Sequence, residues 1–180
     1  MGPRQDLIQC AADLYSLAFL ITRDTDASIE IATEALALQN SAASFFSDQT
    51  RRSARKLVIA EALAAIADEI PASARRVARS RWQEPDFAPG SGAFGHDMTK
   101  AELERALLAI DVFPRCVLLI CIFEGLAQPE AAVLMGLEPE LVALGQAVGL
   151  CELSRNIGNI RIRANDNVAS HAFAAELAPI

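Results

Sequence analysis

Strand-type alternation is nearly absent from this chain, and so are the residues on which most site chemistry depends. Only two histidines occur, His96 and His171, and both lie far in sequence from any of the four cysteines. Cys10, Cys116, Cys121 and Cys151 form no C-x-x-C pair. A zinc site draws on about four convergent ligands, usually from closely spaced pairs. The cysteines therefore read as buried free thiols. The scarcity of histidine weighs against a nucleophile–histidine mechanism. No glycine-rich phosphate loop follows a strand, and no triad is visible. The expectation is a protein that is not an enzyme, with no cofactor, no metal and no small-molecule substrate.

Aromatic residues make up only 6% of the 180, while 52% are hydrophobic, with Ala and Leu dominant. That is enough apolar surface for a core, in residue types that favour helices. Long apolar runs are missing too. The longest, Cys116 to Phe123, falls far short of the ~20 residues a membrane span needs. No secretory pattern opens the chain, since Met1 to Asp6 is polar and no long apolar run follows. The reading is an all-α, soluble, cytoplasmic protein without a membrane partner.

Charge is unevenly spread. Arg51, Arg52, Arg55, Lys56, Arg75, Arg76, Arg79 and Arg81 fall within residues 51–81 with only three acids, Glu61, Asp68 and Glu69. That stretch is +5 within a total of −7, so the remainder carries −12. Such asymmetry fits either a nucleic-acid or acidic-partner surface or a plain solvated helical face.

Apolar spacing predicts helices over residues 6–21, 27–39 and 51–69, with Asp24, Thr25 or Asp26 as a cap for the second. On the second, Ile29, Ala32, Leu36 and Thr33 read as inward. Phe45 and Phe46 read as core in a loop or short helix over 40–50. Pro71 ends the third helix or starts a short basic helix reaching Arg81. Residues 1–81 then form one helical bundle. Residues 82–98 hold Pro85, Pro89, Gly90, Gly92 and Gly95 and read as a linker. Thr99 with Glu102 has capping-box spacing and restarts a helical unit over 99–163. A tail, 164–180, reads either as a short terminal helix around Val168–Leu177 or as a mobile segment.

Within the second unit, residues Gln128–Met135 are followed by Gly136-Leu137 and then Glu138-Pro139-Glu140. Glycine ends a helix cheaply in the left-handed conformation, and proline suits a first helical position. Two helices joined by a short Gly-containing turn make a helix-turn-helix. Its frame would be Ala132 for close approach, Gly136 for the turn and Val142 as the apolar anchor. A plain helical hairpin is the other reading of the same spacing.

Here the sequence resembles a family. Ile110-Asp111-Val112-Phe113-Pro114-Arg115, then Phe123-Glu124-Gly125-Leu126, then Glu130 to Leu137 look like region four of extracytoplasmic-function sigma factors. Leu14 to Phe19, Thr22-Arg23-Asp24 and Glu30 to Leu36 resemble the first half of region two. The resemblance implies two helical domains, RNA polymerase core or an anti-sigma protein as partner, and promoter DNA as target. It places Glu30, Thr33 and Glu34 on the polymerase-facing helix. It makes Glu138, Glu140 and Gln146 the DNA-facing residues of the recognition helix.

One further absence cuts across that function. Between Arg115 and Arg155 there is no Lys or Arg, and residues 100–154 hold three bases against eight acids. DNA affinity rests largely on bases that neutralise phosphates, and recognition helices reach base edges with polar or basic side chains. Gly145 and Gly149 weaken the helix and allow another helix to approach closely. Two readings follow: a divergent sigma factor in transcription initiation, or a sigma mimic that binds a protein partner without reading DNA.

Overall fold

The computed structural model describes residues 3–40, 48–80 and 98–176, with side chains described for 5–38, 49–80 and 98–160. The fold is all-α. Among the described residues there are eight α-helices and no strand. They are α1 (Pro3–Thr22), α2 (Thr25–Asn40), α3 (Asp48–Ala65), α4 (Glu69–Arg79), α5 (Lys100–Leu108), α6 (Val112–Val117), α7 (Gln128–Met135) and α8 (Pro139–Glu176). A π-helical turn, Leu118–Phe123, continues α6.

Helices α1, α2 and α3 pack on one another. Leu14, Leu17, Ala18 and Ile21 of α1 face Ile31, Ala32 and Ala35 of α2 and Val58, Ile59 and Ala62 of α3 within one buried cluster. Of the residues expected inward on α2, Ala32 is buried and Leu36 packs against the core, while Ile29 and Thr33 do not face inward. Ile29 is 53% exposed and Thr33 is exposed, whereas Ser28, Ile31, Ala32 and Ala35 are buried. Ser28 takes an inward position because its hydroxyl bonds to Asp24 O and to Thr22 Oγ1 at the α1–α2 turn. Residues 41–47, with Phe45 and Phe46, lie outside the described residues.

Helix α4 does not stay with α1–α3. It packs on α6 and α8, burying Ile70, Ser73, Ala74 and Val77. Pro71 sits in its first turn, where the missing N–H costs nothing. The expected 82–98 linker lies outside the described residues up to residue 97. The capping box then opens α5 as the spacing predicts: Thr99 N–H donates to Glu102 Oε2 at 2.8 Å, and Glu102 N–H donates to Thr99 Oγ1 at 3.3 Å. The buried residues of both groups of helices belong to one continuous cluster, running from Leu14 to Val148.

Helix α6 and its π turn form the centre. Phe113, Cys116, Val117, Leu118 and Ile120 are fully buried there. Helix α8 crosses α6 at Gly145 and Gly149, where a Cβ would lie 2.7 Å from the Phe113 ring and 2.9 Å from Pro114 O. The close approach expected of these glycines is made by the chain's own α6. The residues of the expected tail continue α8 without a break to Glu176, so no separate terminal helix forms. Among the described residues no single helix is long and apolar enough to cross a membrane.

Candidate functional site

Helices α7 and α8 meet at 105° across the three-residue turn Gly136-Leu137-Glu138. Gly136 has φ 63° and ψ 36°, the left-handed conformation. Leu137 N–H donates to Ala132 O at 3.0 Å and closes the turn. Ala131, Ala132 and Val142 are buried, so the small residue and the anchor both point into the core. All three frame residues read from the sequence are brought together around one turn.

The outward side of this unit is built from what remains. On α7, Glu130, Val133 and Leu134 share a face by helical spacing, and Val133 is 82% exposed. On α8, Glu140, Ala143 and Leu150 are exposed and Ala147 between them is half-buried, with Leu150 41% exposed. Glu138 and Glu140 are exposed. Gln146 is half-buried, and its Oε1 accepts from Gln128 Nε2 at 2.8 Å. The one neutral polar reader named on α8 is thus held by α7. Arg155, the first base after Arg115, is exposed but sits about 24 Å along α8 from Pro139. The side chains of Arg161 and Arg163 lie outside the described residues.

The basic stretch divides. Arg55 on α3 makes a bidentate pair with Glu124, its Nε donating to Oε2 at 2.7 Å and its Nη2 to Oε1. Arg76 on α4 makes one with Asp111, its Nε donating at 3.0 Å and its Nη2 at 2.7 Å to Oδ2. These two arginines are internal ties. Arg51, Arg52 and Lys56 remain exposed on α3, and Arg75 and Arg79 on α4. Since α3 packs with α1 and α2 and α4 packs with α6 and α8, the exposed bases sit on two groups of helices. Arg81 lies outside the described residues.

Glu30, Thr33 and Glu34 are all exposed on one face of α2, beside Ile29 and Leu38. Thr33 Oγ1 donates to Ile29 O at 2.7 Å. This face is acidic and apolar, and α2 contains no Lys or Arg.

Three polar groups that sequence reasoning passed over tie helices together: Arg115 joins α6 to α1, and Ser73 and Asp111 join α4 to α6. Arg115 is 1% exposed and donates to Leu20 O at 2.8 Å, Ile110 O at 2.8 Å and Ile21 O at 3.3 Å. A guanidinium suits the carbonyl end of α1, where the helix dipole is negative. Burial, the main cause, holds its pKa below the usual arginine range. Ser73 is buried, donating to Asp111 Oδ2 at 2.8 Å and accepting from Phe113 N–H at 3.1 Å. Asp111 also caps α6 by accepting from Val112 N–H at 2.8 Å. Burial works to raise the Asp111 carboxyl, but the hydrogen bonds from Arg76, Ser73 and Val112 outweigh it and hold it below the ordinary carboxylate value. The signals for these ties were present as Pro114-Arg115 and Ile110-Asp111, but nothing in spacing alone names a partner 94 residues away.

Among the described residues no three metal-ligating side chains converge. Burial pushes the Cys116 thiol up to about 12, as befits a core residue rather than a nucleophile. No family model, curated protein or solved structure matches the chain.

Proposed function

We propose that this chain is a sigma-factor-like protein with a region four-type helix-turn-helix at α7–α8, and that it binds a protein partner instead of reading promoter DNA. The partner class is RNA polymerase core or an anti-sigma protein. One observation carries the reading. The exposed Glu140, Ala143 and Leu150 of α8 offer acid and apolar surface where a base reader offers Arg, Lys, Asn or Gln. An acidic helix meets repulsion at a phosphate duplex before any contact forms. The α2 face with Glu30, Thr33 and Glu34 has the same acidic, apolar character and supports a second protein contact.

The test compares partners directly. Purified protein is titrated into core RNA polymerase, into an anti-sigma protein and into promoter duplex at low salt. Complex formation with protein, without promoter-specific initiation, is the expected result. Salt-sensitive duplex binding that is lost in Gln146→Ala would overturn it.

A second reading, a working sigma factor, is favoured by the 105° turn and by the exposed Arg51, Arg52 and Lys56 on α3. Promoter-directed transcription by core enzyme supplied with this chain would establish it over the first.

A further inference from the structure

The two groups of helices are pinned along one edge and tied along the other. The pinned edge is Arg115, buried and bonded to three backbone carbonyls. The tied edge is the pair between Arg55 and Glu124, in which the Arg55 side chain is 37% exposed. Between them lies a groove of about 180 Å³. Its apolar walls are Leu17 and Leu20 of α1, Leu103 and Leu107 of α5, and Leu119 and Phe123 of the π turn. Phe123 is 46% exposed.

Arg55 has a second carboxylate within its field. Asp13 of α1 lines the same groove and acts on Arg55 through space. Its Oδ1 accepts from Gln9 Nε2 at 2.9 Å, which leaves Oδ2 outside that bond. Glu124 stands across the interface, just after the π turn, with its N–H bonded five residues back to Leu119 O. Gly125 follows at φ 73°. Asp13 stands on the same group of helices as Arg55.

We propose that Arg55 is a two-seat latch. Seated on Glu124 it closes α1–α3 onto the π-turn end of α6. Seated on Asp13 it releases that edge while Arg115 keeps the other edge in place, and the groove widens. Two seats matter because an exchange between carboxylates gives the guanidinium a charge-assisted partner in both states. Leu17, Leu20 and Phe123 become reachable in the open form without disturbing the core behind Arg115. The latch belongs to the fold itself and does not depend on which partner the chain binds.

The test uses full-length protein carrying a ¹⁹F-labelled phenylalanine at position 123, whose resonances report closed and open populations. The isosteric variants Glu124→Gln and Asp13→Asn keep shape and hydrogen-bonding capacity. Glu124→Gln raises the open population about fivefold, Asp13→Asn lowers it by a similar factor, and the double variant returns close to the parent. Opposite signs that cancel cannot arise from general loosening. If both single variants move the population in the same direction, or if Asp13→Asn leaves it unchanged, the latch is wrong. Should a variant lose its fold by circular dichroism, Arg55→Lys supplies the check. A point charge that cannot grip Glu124 bidentately raises the open population, and no change there overturns the proposal equally.

Discussion

A buried arginine with no carboxylate partner is an unusual choice for a core, and Arg115 shows what makes it tolerable. Each of its three bonds ends on a backbone carbonyl, two of them in the last turn of α1. Those carbonyls have no partner within the helix, so the side chain satisfies them and gains a favourable dipole. Arg115→Met keeps length and apolar bulk but strands the carbonyls. It is expected to lower stability by about 3 kcal/mol or more, at ~1–3 kcal/mol for each unsatisfied group, measured by urea unfolding. Asp111 makes a pH prediction. Its carboxyl is held below the unfolded value of about 3.9. The stability it contributes is therefore fully present above that value and is lost as pH falls through the folded pKa. In Asp111→Asn the acid limb of the stability–pH curve below about pH 4 becomes shallower, while stability above it drops to a pH-independent lower level. Cys116 gives a third test: with its thiol pushed up to about 12 and no exposed surface, it stays unalkylated at neutral pH until the protein unfolds.

At the scale of elements, caps and turns were legible where a local rule has one solution. Thr99 with Glu102 could only open a helix, and Gly136 before Glu138-Pro139 could only close one and open the next. The three frame residues of the candidate site were read for the same reason. Helix phase was less legible. Ala32 and Leu36 face the core as expected, but Ile29 and Thr33 do not, because Ser28 and Ile31 take the inward positions beside them. A serine hides from a hydrophobic pattern because its burial depends on a partner at the preceding turn. The destination of α4 was not legible either. Its basic outer face looks the same whether its apolar side meets α3 or α6, and only the tertiary tie of Ser73 and Arg76 to Asp111 decides between them. The charge of residues 51–81 was correctly counted, yet Arg55 and Arg76 are paired with the chain's own Glu124 and Asp111. The α6–α8 crossing yields a prediction at this scale. Gly149→Ala gains ~1 kcal/mol of helix propensity, but its Cβ would meet Pro114 O at 2.9 Å, and backbone cannot swing aside. Overpacking of this kind costs about 1–3 kcal/mol, so a lowered melting temperature is expected from calorimetry. A rise would mean that α8 shifts freely over α6.

Across the whole molecule, the two groups of helices share more than a boundary. The buried cluster is continuous from Leu14 to Val148. Arg115 and Arg55 each join one group to the other, and the Ser73–Asp111–Arg76 set joins α4 to α6 within the second. Independent domains on a linker would melt separately, each with its own midpoint. A shared core with polar ties predicts instead one cooperative transition, in which probes on α1–α3 and on α5–α8 lose signal at the same denaturant concentration. Arg115→Met sharpens the contrast. By cutting the tie between α1 and α6 it is expected to separate the two transitions, with α1–α3 melting first. That group then keeps its own packing, the Arg55–Glu124 pair and its share of the common cluster, while α4, α5, α6 and α8 retain theirs. Coincident midpoints in the parent and divergent ones in the variant would show that the shared core and the Arg55–Glu124 pair do not couple the groups without Arg115. Separate transitions already present in the parent would mean that the continuous cluster is continuous in space but not in energy.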